Sequence, residues 1–435
     1  MQNMMRAKAR LLACAIAGAA SLMPANAVAQ TTVSLDEAID RALVRSPLVA
    51  QQQQSVDNAY LTQKTSWASF LPTVTGNGSG SLRSANTLNQ TTGEIVSGSS
   101  DSYSAGLTGS LTVFEGLRRF KEYDASKADV RAAEARYANQ RFQVTLQTKN
   151  FFFNALRQAD LLEVSQQRVS QAEQNLDIVR RRTLLGEATI SDSLRARLDV
   201  VNALQAVLQS ETAVRSARSS LGRQIGLSER VTPTRPPDLE PTPLPFTEDE
   251  IMAMAVSVSP PVIAASEASI AARANVSAAR TAYIPSLRFS SGYNWQNQAR
   301  SFSGGSTSWN LGLSVSYPIF NGFQRESSID RAQYVQRVSL LQEDDARLAA
   351  REQADAALHN LLTAERAIVI AEDAAFLAAE DLRVIRVRYS VGAATILDIL
   401  ISQSAADQAN TDVITTRYDY VLARAELEAI LGREL

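Results

Sequence analysis

Gly186-Glu187-Ala188-Thr189-Ile190-Ser191-Asp192 returns 206 positions later as Gly392-Ala393-Ala394-Thr395-Ile396-Leu397-Asp398. In both stretches a glycine is placed to close one helix in a left-handed conformation. A threonine with an acid three residues on then caps the next helix, so the spacing predicts Gly186–Thr189–Asp192 and Gly392–Thr395–Asp398 as the turns of two helical hairpins. Reading outward, Phe114-x-Gly116 recurs at the same offset as Phe320-x-Gly322, and Gly226 as Gly432. Nearer the N-terminus the offset becomes 213: Ser34-Leu35-Asp36-Glu37 matches Thr247-Glu248-Asp249-Glu250, Ser46-Pro47 matches Ser259-Pro260, and Leu71-Pro72 matches Ile284-Pro285. So many punctuating residues in the same order mark an internal duplication.

Six of the 13 prolines lie within Pro233–Pro245, an extended linker between the copies. The expected organisation is a leader at 1–29, a first repeat at 30–232, the linker at 233–245 and a second repeat at 246–435. Each repeat reads as a helix, two strands and a long helical hairpin.

The strand segments alternate cleanly. From Tyr103 to Val113 one face carries Tyr103, Ala105, Leu107, Leu111 and Val113 against Ser104, Thr108, Ser110 and Thr112. Trp309, Leu311, Leu313, Val315 and Tyr317 oppose Asn310, Ser314 and Ser316, and Leu287, Phe289, Tyr293 and Trp295 oppose Arg288, Ser290, Asn294 and Gln296. Eleven residues at about 3.3 Å each, tilted by about 45°, cover the ~25 Å apolar band of an outer-membrane barrel. The aromatics gather at strand ends, where interfacial girdles belong. Four strands cannot close a barrel, and lipid tolerates no open sheet edge. A soluble sandwich would alternate too, but if these strands span a membrane, several chains must share one barrel, as an obligate and cyclic oligomer.

After each strand pair a helical pattern runs on. The 68 residues from Arg118 to Leu185 hold neither proline nor glycine, enough for a helix of about 100 Å. Its apolar positions are spread around the axis, as in a scaffold that touches neighbours on two sides. The fold class expected is mainly α with a transmembrane β portion.

Composition narrows the function. Aromatic residues are only 6% of the chain, so small-residue helix packing replaces a thick core. A net charge of −2 provides no basic field for nucleic acid. One histidine (His359) and one cysteine (Cys14) leave no metal cluster and no choice of triad or Cys–His pair, so no metal, no cofactor and no enzyme activity is expected. His359 reads as a packing or surface residue. Arg6, Lys8 and Arg10, then an apolar run from Leu11 to Met23, then Ala27-Val28-Ala29 read as a secretory signal. Cleavage after Ala29 removes three basic residues and Cys14, leaving 406 residues at net charge −5.

Tyr389-Ser390-Val391-Gly392-x-x-Thr395-Ile396-Leu397-Asp398-Ile399-Leu400, with the Ser34-Leu35-x-Glu37-Ala38 opening, the Leu71-Pro72 junction and the Phe320-Asn321-Gly322 strand exit, resembles the TolC family of outer-membrane efflux proteins. The resemblance covers essentially the whole chain after the leader. It implies a homotrimer in the outer membrane of a Gram-negative bacterium, with a shared 12-stranded β-barrel continuing into a periplasmic α-barrel. The hairpin tips would meet a periplasmic adaptor and an inner-membrane pump or ABC transporter, and cargo would pass down the lumen. Drug efflux and type I protein secretion both use ducts of this kind. In the best-known member of the family the inner hairpins close the periplasmic aperture with rings of aspartate, helped by an arginine–tyrosine tether. Asp398 falls on one ring position and Tyr389 on the tyrosine, while Ile401 takes the second ring position and Ala394 that of the arginine. The rival expectation is a soluble periplasmic coiled-coil scaffold or adaptor, in which the strands form a small sandwich and no detergent is needed.

Overall fold

The computed structural model describes residues 31–88, 91, 93–237, 239–298 and 303–435; the leader expected at 1–29 lies outside them. The first copy comprises β1 (Thr31–Val33), α1 (Leu35–Arg45), α2 (Pro47–Ala68), β2 (Thr73–Leu88), β3 (Ile95–Phe114), α3 (Arg118–Leu184) and α4 (Ile190–Gln224). Strand β4 (Val231–Pro233) leads into the linker. The second copy comprises α5 (Glu248–Val258), α6 (Pro260–Arg280), β5 (Ser286–Asn297), β6 (Ser306–Ser316), α7 (Gln324–Ser390) and α8 (Ile396–Leu431).

The single helix expected before each strand pair is two. Pro47 and Pro260 lack an N–H and occupy the first turn of α2 and α6, so the preceding helix ends at the serine before them. Ser46 serves both sides: its N–H bonds back to Ala42, and its Oγ accepts from the Val49 N–H at 3.5 Å. The combined stretch Glu248–Tyr283 is long and apolar enough to cross a membrane, but the break at Pro260 splits it, and α6 packs on α3 and α7.

Helices α3 and α7 each run 67 residues without a break. Both begin where the chain leaves a strand through two consecutive left-handed residues, Gly116–Leu117 (φ 65° and 67°) and Gly322–Phe323 (φ 67° and 62°). A Cβ on Gly116 would lie 2.7 Å from Ile284, so this corner is closed to larger residues. The long helices line up as α4–α3–α8–α7. The flank of α4 away from α3 carries Ile190, Leu194, Leu198, Val201 and Leu208, all exposed in the single chain.

Three apolar clusters hold the helices. One joins Val33, Val231, Phe152, Phe153, Leu221 and Tyr418. Its centre is a parallel pairing of β1 with β4, which ties the start of the first repeat to the linker. The second joins Ile251, Leu361, Leu427 and Leu431. The third, towards the hairpin turns, joins Leu176, Val179, Ala196, Tyr389, Ile396 and Ile399.

The four longer strands form one antiparallel sheet in the order β2–β3–β5–β6. Strand β3 extends to Ile95, beyond the apolar alternation that began at Tyr103, because it pairs with β2 along the latter's whole length. Register confirms the two faces. Gly76, Leu107, Tyr293 and Trp309 lie in one row, and Leu111, Phe289 and Leu313 in another. The opposite face holds Thr75, Thr108 and Asn310, then Asn77, Asn294 and Ser308. Trp309 and Val315 are 73% and 71% exposed in the single chain, so this apolar face has no cover of its own.

Candidate functional site

The two hairpin turns are built alike. At the first, the Gly186 N–H bonds to the Thr183 carbonyl and the Glu187 N–H to the Arg182 carbonyl; at the second, Gly392 bonds to Tyr389 and Ala393 to Arg388. Both are Schellman closures with glycine in the left-handed region at φ 76° and 78°. Each return helix opens with a full capping box. The Asp192 N–H donates to Thr189 Oγ1 at 3.2 Å, while the Thr189 N–H donates to Asp192 Oδ2 at 3.1 Å. In the second turn the corresponding distances, for Thr395 and Asp398, are 3.3 and 2.7 Å.

These bonds favour the ionised carboxylates. The Thr395 backbone and hydroxyl donors hold Asp398 below the ordinary carboxylate range, with a smaller pull from Arg388. The Thr189 donors, hydroxyl first, do the same for Asp192. Asp192 and Asp398 are therefore equivalent within one chain, each a charged cap in water.

Tyr389 stands apart from Asp398. Its side chain is buried in the apolar cluster of Leu176, Val179 and Ile396. Arg182, the last-turn arginine of α3, reaches it across the hairpins. The guanidinium lies 4.6 Å from the centre of the Tyr389 ring, and Arg182 Nη1 donates to the Tyr389 carbonyl at 2.6 Å. Glu187 pairs with the same guanidinium at 3.4 Å. Burial raises the Tyr389 hydroxyl pKa, with Arg182 opposing and Asp192 adding to the shift. Ala394 packs against this cluster, whereas Ile401 is exposed at 61% and makes no part of it.

Sequence reasoning missed Arg182. Its one available signal was position: it stands in Arg180-Arg181-Arg182 and matches Arg388 at the repeat offset. Helix phase selects it, because Arg181 instead pairs with Asp177 on its own helix.

Further along the hairpins a polar group crosses all four helices. Arg168 of α3 lies 3.6 Å from Asp199 of α4 and 3.5 Å from Asp407 of α8. Arg386 of α7 donates to Gln403 of α8 at 2.7 Å, and Gln403 donates to Asp407 at 2.9 Å. Burial pushes the Asp407 carboxyl up, and Gln403 and Arg168 pull it back. The hairpins are thus joined near their turns by Arg182–Tyr389 and further along by Arg168–Asp407, and α3 meets α8 again beyond these through Tyr418–Asp160 at 2.8 Å and Lys149–Glu428 at 2.6 Å.

A sheet with an uncovered apolar face and two unpaired edges, continuing into four long helices, defines a subunit of an outer-membrane export channel. The chain belongs to the outer membrane efflux protein family, whose profile matches residues 38–227 and 254–433, one block in each repeat. It is 22% identical over 347 residues to the outer membrane protein TolC of Vibrio cholerae, covering 77% of each chain. It is 23% identical over 404 residues to the probable efflux pump outer membrane protein TtgC of Pseudomonas putida, covering 92% of this chain and 83% of that protein. The crystal structure of the Campylobacter jejuni CmeC outer membrane channel superposes with a TM-score of 0.80 at 18% identity, covering 92% of this chain and 85% of that one.

Proposed function

We propose that the protein is the passive exit duct of a tripartite export system, assembled as a homotrimer. The observation that carries this reading is the sheet. Its outer strands β2 and β6 each leave one edge unpaired within the chain, and its apolar rows are bare. Three copies of four strands make a closed 12-stranded wall, which satisfies every edge and places the apolar face in lipid. The free flank of α4 then meets the free flank of α7 on the next copy.

The helical hairpins extend into the periplasm, and their turns at Gly186 and Gly392 meet an adaptor coupled to an inner-membrane pump. The duct carries cargo and performs no covalent chemistry. The aperture is closed by the second hairpin held against the first through Tyr389 and Arg182. Asp398, repeated by threefold symmetry, contributes a ring of negative charge, and Ile401 an apolar ring one helical turn beyond. Arg182 takes the tethering role for which position 394 supplies only an alanine. Conductance of the purified protein in a planar bilayer, recorded with and without Arg182→Ala, tests the duct and its latch together. A duct opened by the substitution supports the reading, and protein that never inserts removes it.

A further inference from the structure

The charge on the polar face of the sheet is of one sign. Following the register from β2 to β6, that face consists of serine, threonine, asparagine, glutamine and glycine, with Ala85 and Val96 by parity at its outer end, and its charged residues are Arg288 on β5 and Arg83 on β2. No acidic residue shares this face in the described strands; Asp101 has the parity of the apolar face. Arg288 sits two residues into β5, next to the junction with the helices, with Thr112 and Ser314 as its register partners. Its neighbours along the strand, Leu287 and Phe289, point to the lipid side. The acids close to that junction on other elements already hold partners: Glu115 binds Arg119 at 3.1 Å and Glu326 binds Arg325 at 3.1 Å.

We propose that Arg288 forms a threefold ring of positive charge at the inner end of the barrel lumen and makes this segment of the duct select for anionic solutes. The inference rests on the trimeric barrel proposed above. Twelve strands about 4.8 Å apart and tilted by about 40° close at a radius of about 12 Å. An arginine reaching inward from such a wall brings its charge within about 10 Å of any ion on the axis, one Debye length at ~0.1 M salt. Three such charges in water, screened over that distance, enrich small anions over small cations by about fourfold. Arg83 places a second, wider set near the outer end of the strands. Asparagines 77, 294 and 310 lie between the two levels and add polarity without charge. The duct therefore presents carboxylate at its periplasmic turns and guanidinium in its membrane wall.

The test is the reversal potential of single trimers in a planar bilayer under a potassium chloride gradient near ~0.1 M, where screening is incomplete. Arg288→Gln should lower the chloride-to-potassium permeability ratio about fourfold, Arg288→Lys should keep it, and the difference should vanish near ~1 M salt, where the Debye length is ~3 Å. Arg288→Cys, assembled first and then treated with a water-soluble cationic methanethiosulfonate, should recover the wild-type ratio, and the anionic reagent should depress it further. Conducting trimers whose reversal potential ignores every one of these changes overturn the inference and leave the duct standing. Wild-type protein that inserts no conducting unit overturns the duct itself.

Discussion

The Arg182 guanidinium lies 4.6 Å from the centre of the Tyr389 ring and donates to the Tyr389 carbonyl at 2.6 Å, joining the end of one helical hairpin to the end of the other. A cation over an aromatic face contributes about 0.5–2 kcal/mol, and a charged donor to a carbonyl about 1.5–3 kcal/mol. Losing the pair should therefore shift a closed–open balance by roughly 2 kcal/mol, about thirtyfold. Arg182→Ala should raise the open fraction of single channels by about that factor, and Arg182→Lys by less. Unchanged open probability in both would remove the latch.

Asp192 and Asp398 make the same capping box, so any difference between them must come from where they stand in the assembly. Replacing either by alanine should loosen the first turn of its helix, because the N-cap N–H loses its acceptor. Only Asp398→Ala should also alter cation block or selectivity of the single-channel current. Equal and negligible effects on conductance from both would sink the ring.

The caps also have a pH signature. Both carboxylates are held below their ordinary range in the folded chain. The stability they contribute is present above the unfolded value of about 3.9 and is lost as the pH falls through the depressed folded value. Amide exchange at Thr189 and Thr395 should thus keep constant protection, after correction for intrinsic rates, from neutral pH to about pH 5, and lose it only below about pH 4. Loss beginning near neutral pH would contradict the assignment.

Leu198, in the exposed apolar row of α4, should lie between protomers. Burying a leucine contributes about 1.5–3 kcal/mol, and each trimer buries three. Leu198→Asp should reduce the trimer fraction seen by native mass spectrometry while leaving the helical circular dichroism per chain intact. A variant as trimeric as the parent would place this row elsewhere.

Much of this architecture was written in the sequence, because it rests on local punctuation. Gly186 and Gly392 need a left-handed backbone, Thr189 and Thr395 cap helices wherever they occur, and the strand faces follow from a period of two. The β1–β4 pair was not legible: three residues at Thr31 meet three at Val231 in parallel, and no local pattern announces so short and distant a contact. The reach of β3 back to Ile95 was hidden by a serine- and glycine-rich stretch without alternation. Ser46-Pro47 and Ser259-Pro260 were visible as repeated punctuation, yet their role as helix breaks depends on which serine caps which turn. Arg182 was silent because three arginines in a row look alike until helix phase and the neighbouring hairpin choose one.

The central claim is that several copies of this chain close one barrel. The oligomeric mass of the detergent-extracted protein from the outer-membrane fraction, by native mass spectrometry, tests it most directly. Three chains, dispersed only with detergent, are expected. A monomer or dimer that stays in solution without detergent would contradict it.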